Sequence, residues 1–249
     1  ETINEYFGSD DEYINKLERF GFWKDTAIKI KGKSVNSFTT MFLEMWNLYE
    51  SKNEDFSKYI TDIETTKNGF IIPYGDNPLD KETIGRNVYI NILNNAKDYV
   101  YIATPYLILD DELLNTIKFT AKRGVDVRII MPSIPDKKMV YYLGRSYFKE
   151  LIKSDVKIYE YKPGFIHAKM FLSDKEKAIV GTINLDYRSL YLHYECACFI
   201  YKNTVIEDIE NDYNEIFNQS EIIELESLKK YNIFKRIIGV ILRFFAPLM

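Results

Sequence analysis

Residues 99–131 read YVYIATPYLILDDELLNTIKFTAKRGVDVRIIM. Tyr99–Thr104 and Val125–Met131 are short apolar runs rich in β-formers, and 111–123 between them carries helical spacing. Asp110 and Asp111 precede that stretch as helix caps, and Gly124 closes it. The same alternation extends outward on both sides. Phe70–Pro73 and Val156–Tyr161 are further candidate strands, with helical stretches near 84–97 and 137–153. Strand-like runs at 165–173, 177–181 and 193–201 follow, then a helix near 204–217. Strand–helix alternation of this kind predicts an α/β domain with a largely buried sheet.

Composition narrows the function classes. At 249 residues, 46% hydrophobic and 28% charged, the chain makes one or two ordinary globular domains. A net charge of −4 leaves no basic footprint, so no nucleic-acid partner is expected. Cys196 and Cys198 are the two cysteines; inside an apolar run they read as small hydrophobes in a reducing compartment. With two histidines in all, no metal site of the usual Cys/His type can be built. No apolar stretch reaches the roughly 20 residues that span a bilayer. The chain opens Glu1-Thr2-Ile3-Asn4, polar and without an initiator Met, which reads as a cut.

An internal repeat is the second organising signal. Thr26–Ile30 reads as a strand, Gly32 as a turn, and Val35, Phe38, Phe42 and Trp46 as a helix stripe. Near the other end, Cys196–Tyr201, Asn203 and the stripe Ile206, Ile209, Tyr213, Phe217 repeat that order. Each strand is introduced by an aromatic and an acid: Trp23 with Asp25, Tyr194 with Glu195. Chance pairing of two common strand–turn–helix units is the plain alternative.

Chemistry concentrates in residues 164–190, GFIHAKMFLSDKEKAIVGTINLDYRSL. In an extended run His167 and Lys169, two apart, project to one face. A lysine there can hold and neutralise a non-bridging phosphate oxygen. The imidazole can attack phosphorus or protonate a leaving oxygen. Thr182 and Asn184, near Gly181 at a strand end, can donate to phosphate, and Asp174 falls in a loop. A histidine acting this way needs a partner on its second nitrogen, and Glu195 is the best available acid.

HAKMFLSD followed by GTINLDYRS resembles the HxKxxxxD signature of the phospholipase D superfamily. RFGFWKDT, IATPYLILDDELL, KRGVDVRIIMP, SDVKIYEY and the terminal RFFAPLM are similar, more narrowly, to bacterial cardiolipin synthases. The resemblance implies an α/β fold with a mixed sheet flanked by helices, one half of a pseudo-twofold pair. It implies two motif copies facing one site: one histidine becomes a phosphohistidine, and the other protonates the departing alcohol. The implied reaction is phosphatidyl transfer between two phosphatidylglycerol molecules with release of glycerol, without metal or cofactor. Matched residue by residue, His167, Lys169 and Asp174 form the second copy, Asn184 contacts phosphate and Glu195 orients the histidine. His167 is then the acid–base. His193 stands where many members have Asn and is given no role.

The first copy is not in the chain. Glu195 lies 28 residues after His167, and the same offset from Asp25 falls before residue 1; residues 1–150 contain no histidine. Three segments are expected: 1–66, the remnant of a first half plus linker; 67–220, the second half; and 221–249, a basic amphipathic end. The chain is therefore expected to be a fragment, close to inactive alone, whose partners are the missing half, phosphatidylglycerol and an anionic membrane surface. A hydrolase or nuclease on the same scaffold, or a non-catalytic phosphate-binding half, are the alternatives. A homodimer could present His167 twice, but residues 22–48 would occupy the surface that pairing needs. In residues 229–249 the cations Lys229, Lys230, Lys235, Arg236 and Arg243 are mixed with a dense apolar set. That end suits either the bilayer interface or packing on the domain with its charges solvated.

Overall fold

The structure is a computed structural model that describes residues 22–50, 55–63, 68–79 and 82–248; DEYIN at 11–15, which in the resemblance follows the first motif copy, and residues 19–21 of RFGFWKDT lie outside them. After a short strand β1 (Phe22–Lys24) comes helix α1 (Val35–Glu50), and the main domain begins at β2 (Phe70–Asp76). It continues through α2 (Ile84–Asn95), β3 (Tyr99–Ala103), α3 (Asp111–Lys122), β4 (Asp126–Pro132), α4 (Lys138–Ile152) and β5 (Lys157–Tyr161). Next come β6 (Gly164–Ile166), β7 (Met170–Ser173), β8 (Lys177–Gly181), α5 (Tyr187–Tyr191) and β9 (Glu195–Tyr201). Helix α6 (Val205–Asn218), β10 (Ser220–Ile223), α7 (Leu225–Lys229) and α8 (Ile233–Leu242) follow, and a 3-10 segment (Arg243–Leu248) ends the described residues; a second 3-10 turn, Phe56–Tyr59, lies between α1 and β2.

Eight strands form one mixed sheet in the order β10-β5-β4-β3-β7-β8-β9-β2. β3, β4 and β5 run parallel, as the helical crossovers α3 and α4 require. Every other pair in that sheet is antiparallel. Residues 99–131 thus form a strand–helix–strand unit at the sheet centre. Asp110 caps α3 by accepting from the Leu113 amide at 2.9 Å.

Alternate residues of each strand serve two cores. Ile102, Ile129, Phe171, Ile179 and Ala197 pack with α2, α3 and α4 through Tyr89, Leu113, Ile117 and Phe148. Their neighbours Ala103, Ile130, Leu172, Val180 and Cys198 pack on the other face with Ile206, Ile209, Tyr213 and Ile216 of α6. A mixed sheet flanked by helices is therefore the fold, as expected. Both cysteines are unpaired thiols.

Three local expectations need correction. Thr26–Ile30 is not a strand; the strand lies earlier, at Phe22–Lys24, because β6 offers a parallel partner only there. The run 165–173 is broken at residues 167–169, where the chain leaves β1 and enters the main sheet. On α1, Leu43 alone is buried, and Phe42 and Trp46 of the expected inner stripe are 60% and 46% exposed.

Candidate active site

His167 and Lys169 sit in the break between β6 and β7, a segment held from outside by β1. The Lys24 carbonyl accepts both the His167 amide at 2.8 Å and the Ala168 amide at 3.1 Å. Lys24 in turn is buried, and its ammonium pairs with Asp212 on α6. One residue further, Asp25 reaches the imidazole: His167 Nδ1 lies 3.0 Å from Asp25 Oδ1 and 3.3 Å from Oδ2. The rings of Trp23 and Phe165 flank the imidazole at 5.4 and 5.9 Å between centroids. With Nδ1–H donating to Asp25, Nε2 is left to exchange a proton or to attack.

Asp25 is well suited to that task. Burial raises its pKa, but the His167 hydrogen bond and the charges of His167, Lys169 and Lys24 outweigh it, holding the carboxyl below its ordinary value. Lys169 is buried at 8% exposure, and its ammonium donates to the His167 carbonyl. Burial presses its pKa down to about 8, against support from Asp25, Glu195, Asp186 and Asp136. A partly desolvated cation beside a half-exposed imidazole can receive an anionic oxygen.

The acid assigned to His167 is the main correction. Glu195 does not contact it; its carboxylate accepts from the Thr182 hydroxyl and lies 3.9 Å from His193 Nδ1. Asp25 is the acid that stands at the His167 ring nitrogen. Its signal was present in the repeat, where Asp25 matches Glu195. Linear spacing cannot tell whether each acid serves its own half or the other.

Asp174 is placed away from the reactive pair, at the far end of β7. With φ of 54° it forms the β7–β8 turn together with Lys175. Its oxygens accept the amides of Lys97, Asp98 and Tyr99 at 2.9–3.0 Å. It anchors the start of β3.

Thr182 and Asn184 follow Gly181, where β8 approaches β9 so closely that a Cβ would lie 2.3 Å from that of Ala197. The Asn184 amide nitrogen donates to Ser189 Oγ at 2.9 Å, and its buried Oδ1 has no partner. Thr182 spends its hydroxyl on Glu195 and the Cys196 carbonyl. His193 lines a separate recess of about 210 Å³ with Asp76, Glu82, Thr83 and Tyr191. Among the described residues no three His, Cys, Asp or Glu side chains could hold a metal ion together. No described helix is long and apolar enough to cross a membrane.

Residues 89–217 match the family described as cardiolipin synthase, PLD-like domain. An uncharacterised protein of Streptococcus mutans is 53% identical over 241 residues, covering 96% of this chain and 52% of that protein. Cardiolipin synthase 2 of Bacillus anthracis is 35% identical over 241 residues, with 96% and 47% covered. The chain thus spans about half the length of the curated relatives it matches. Phosphatidylserine synthase of Haemophilus influenzae superposes with a TM-score of 0.55 at 19% identity, over 72% of this chain and 45% of that one. The phospholipase D family member Nuc of Salmonella typhimurium gives 0.53 at 16%, over 62% and 98%. These two likenesses bear on fold.

Proposed function

The chain belongs to the PLD-like domain family of cardiolipin synthases, and from that premise we propose that it is one arm of a two-arm phosphatidyltransferase site. The observation that carries the proposal is the His167–Asp25 pair with Lys169 beside it. In this reading the histidine of a first copy, on another stretch of polypeptide, attacks phosphorus of one phosphatidylglycerol. The bond from phosphorus to the glycerol oxygen breaks, and His167 gives its Nε2 proton to that oxygen. His167 then takes the proton from a glycerol hydroxyl of a second phosphatidylglycerol. That oxygen attacks phosphorus, the phosphorus–nitrogen bond breaks, and cardiolipin leaves. Lys169 and Asn184 neutralise and donate to the non-bridging oxygens.

The exchange of acids supports the two-arm reading. Asp25, from the first repeat, serves the histidine of the second. By the same symmetry Glu195 is the acid for a first-copy histidine; it is nearly buried, beside Thr182, and no imidazole lies within hydrogen-bonding distance. The protein would work from the cytoplasmic side as a peripheral membrane enzyme in this proposal.

The test is turnover on phosphatidylglycerol vesicles by a polypeptide carrying both copies, scoring cardiolipin against phosphatidic acid. Cardiolipin is expected, and His167→Ala or Lys169→Ala abolishes it. Phosphatidic acid as main product would make the protein a hydrolase. Robust cardiolipin synthesis by this chain alone would overturn the two-arm reading.

A further inference from the structure

The C-terminal segment lies on α4 through its small residues. A Cβ at Gly239 would stand 2.2 Å from the Tyr142 carbonyl oxygen, so α8 rests backbone-on-backbone against α4. Arg243 pins its end: Nε donates to Ser146 Oγ at 2.8 Å, Nη2 to the Ser146 carbonyl at 2.6 Å, and the guanidinium lies 3.9 Å over the Tyr147 ring. Docking therefore consumes the small face and leaves the large apolar residues outside. Phe234, Ile237 and Ile241 lie along one stripe of α8, and these three, with Phe244 and Leu248 of the 3-10 segment Arg243–Leu248 that follows, are all at least half exposed. Residues 229–249 carry five Lys or Arg and no Asp or Glu, in a chain of net charge −4.

Beside the stripe, between α4 and the start of α8, is a cavity of about 230 Å³. Arg145, Lys149 and Arg236 line it together with Tyr142 and Tyr231, and no carboxylate does. Arg145 is committed to Glu160 at its Nη1. Lys149 and Arg236 have no acidic partner among the described residues, so their charges are not neutralised by the fold. Two donors of the lining, Arg145 Nε and the Tyr231 hydroxyl, are shielded from solvent and have no acceptor. Buried donors are normally satisfied, so their wall is short of acceptor oxygens.

We propose that this cavity binds the phosphate headgroup of an anionic phospholipid while the adjoining stripe lies in the acyl boundary of the same leaflet. An apolar stripe without flanking cations would bind any interface. Cations without the stripe would bind any soluble phosphate. Their adjacency selects a lipid. This site is separate from the proposed transfer site and does not depend on turnover.

Flotation of the full chain with vesicles tests the proposal. Vesicles of phosphatidylcholine with about 30 mol % phosphatidylglycerol are expected to capture the chain at least tenfold better than phosphatidylcholine alone. Lys149→Glu with Arg236→Glu should remove that preference, whereas Phe234→Ser with Ile241→Ser should weaken capture by both vesicles. Lys230→Glu, outside the cavity, should have a much smaller effect; an effect equal to the cavity variants would overturn the headgroup site. Glycerol phosphate at millimolar concentration should not displace the chain from vesicles. Displacement by it, or protection of Lys149 from amine labelling by it without vesicle capture, would assign the cavity to a soluble anion instead. Circular dichroism of each variant separates lost binding from lost folding. His167→Ala should leave every one of these readouts unchanged.

Discussion

His167 and Asp25 are 142 positions apart in the chain yet share a hydrogen bond, and the imidazole's usefulness depends on it. Asp25→Asn keeps the shape but removes the charge that fixes the tautomer. In a polypeptide with both motif copies it is expected to lower turnover by on the order of 10²- to 10⁴-fold. Loss by only a few fold in a kinetic assay would remove Asp25 from the site. Lys169 adds a pH signature. Its folded-state pKa, about 8, lies below the ordinary 10.5, so between those values the unfolded chain binds more protons. Its contribution to stability therefore rises with pH across that window, by on the order of 3 kcal/mol in total. Lys169→Met should flatten that slope in urea unfolding measured on either side of pH 8. Phosphate binding runs the other way, since it needs the ammonium: vanadate affinity should fall as pH rises through about 8, and Lys169→Arg should abolish the fall. HxKxxxxD made legible that His167 and Lys169 stand together, as they do in the structure. The acid was not legible, because a repeat equates Asp25 with Glu195 without saying which half each one serves.

At the scale of elements, periodicity placed β8 at its observed bounds and most of the elements it named within a residue or two of theirs, but it ended β2 at Pro73 instead of Asp76 and named none of α5, β10 and α7. The failures share one cause. Thr26–Ile30 has strand composition but no partner edge, while Phe22–Lys24 finds one on β6; strands exist where hydrogen-bond partners do, and those are non-local. The β7–β8 turn gives a measurable case of an element held by one side chain. Asp174→Ala deletes the acceptor for three amides at the start of β3 and leaves a residue with a Cβ but no compensating hydrogen bond at positive φ. Destabilisation of about 2 kcal/mol or more is expected, seen as a lowered melting temperature. A loss of activity with unaltered stability would instead move Asp174 into the reacting centre. Helix α8 offers the converse, an element held by the absence of a side chain. Gly239→Val sets a branched side chain against the Tyr142 carbonyl, so the segment should lift off α4 and become the first site of limited proteolysis. An unaltered digestion pattern would show that α8 is not held there.

For the whole molecule the telling feature is α1, whose stripe spacing was correct but whose inner face was not. Its only buried residue is Leu43, while Phe42, Met45, Trp46, Leu48 and Tyr49 are exposed. In the repeat α1 corresponds to α6, which buries Ile206, Ile209, Tyr213 and Ile216 against the main sheet. The difference is what each helix has beside it, a fact that no spacing rule contains. If the chain is one arm of a two-arm enzyme, the sheet that α1 should cover belongs to the other arm. That makes a stability comparison informative. In this chain Phe42→Ser with Trp46→Ser removes exposed surface and should change unfolding free energy by about 0.5 kcal/mol or less per site. In a polypeptide that also carries the first motif copy, the same pair should cost about 3–5 kcal/mol per site, the range for truncating a buried aromatic. Chemical denaturation of both proteins, wild type and double variant, gives the four numbers required. Equal small losses in both would mean that α1 stays uncovered, and the two-arm geometry would then have to be built without it.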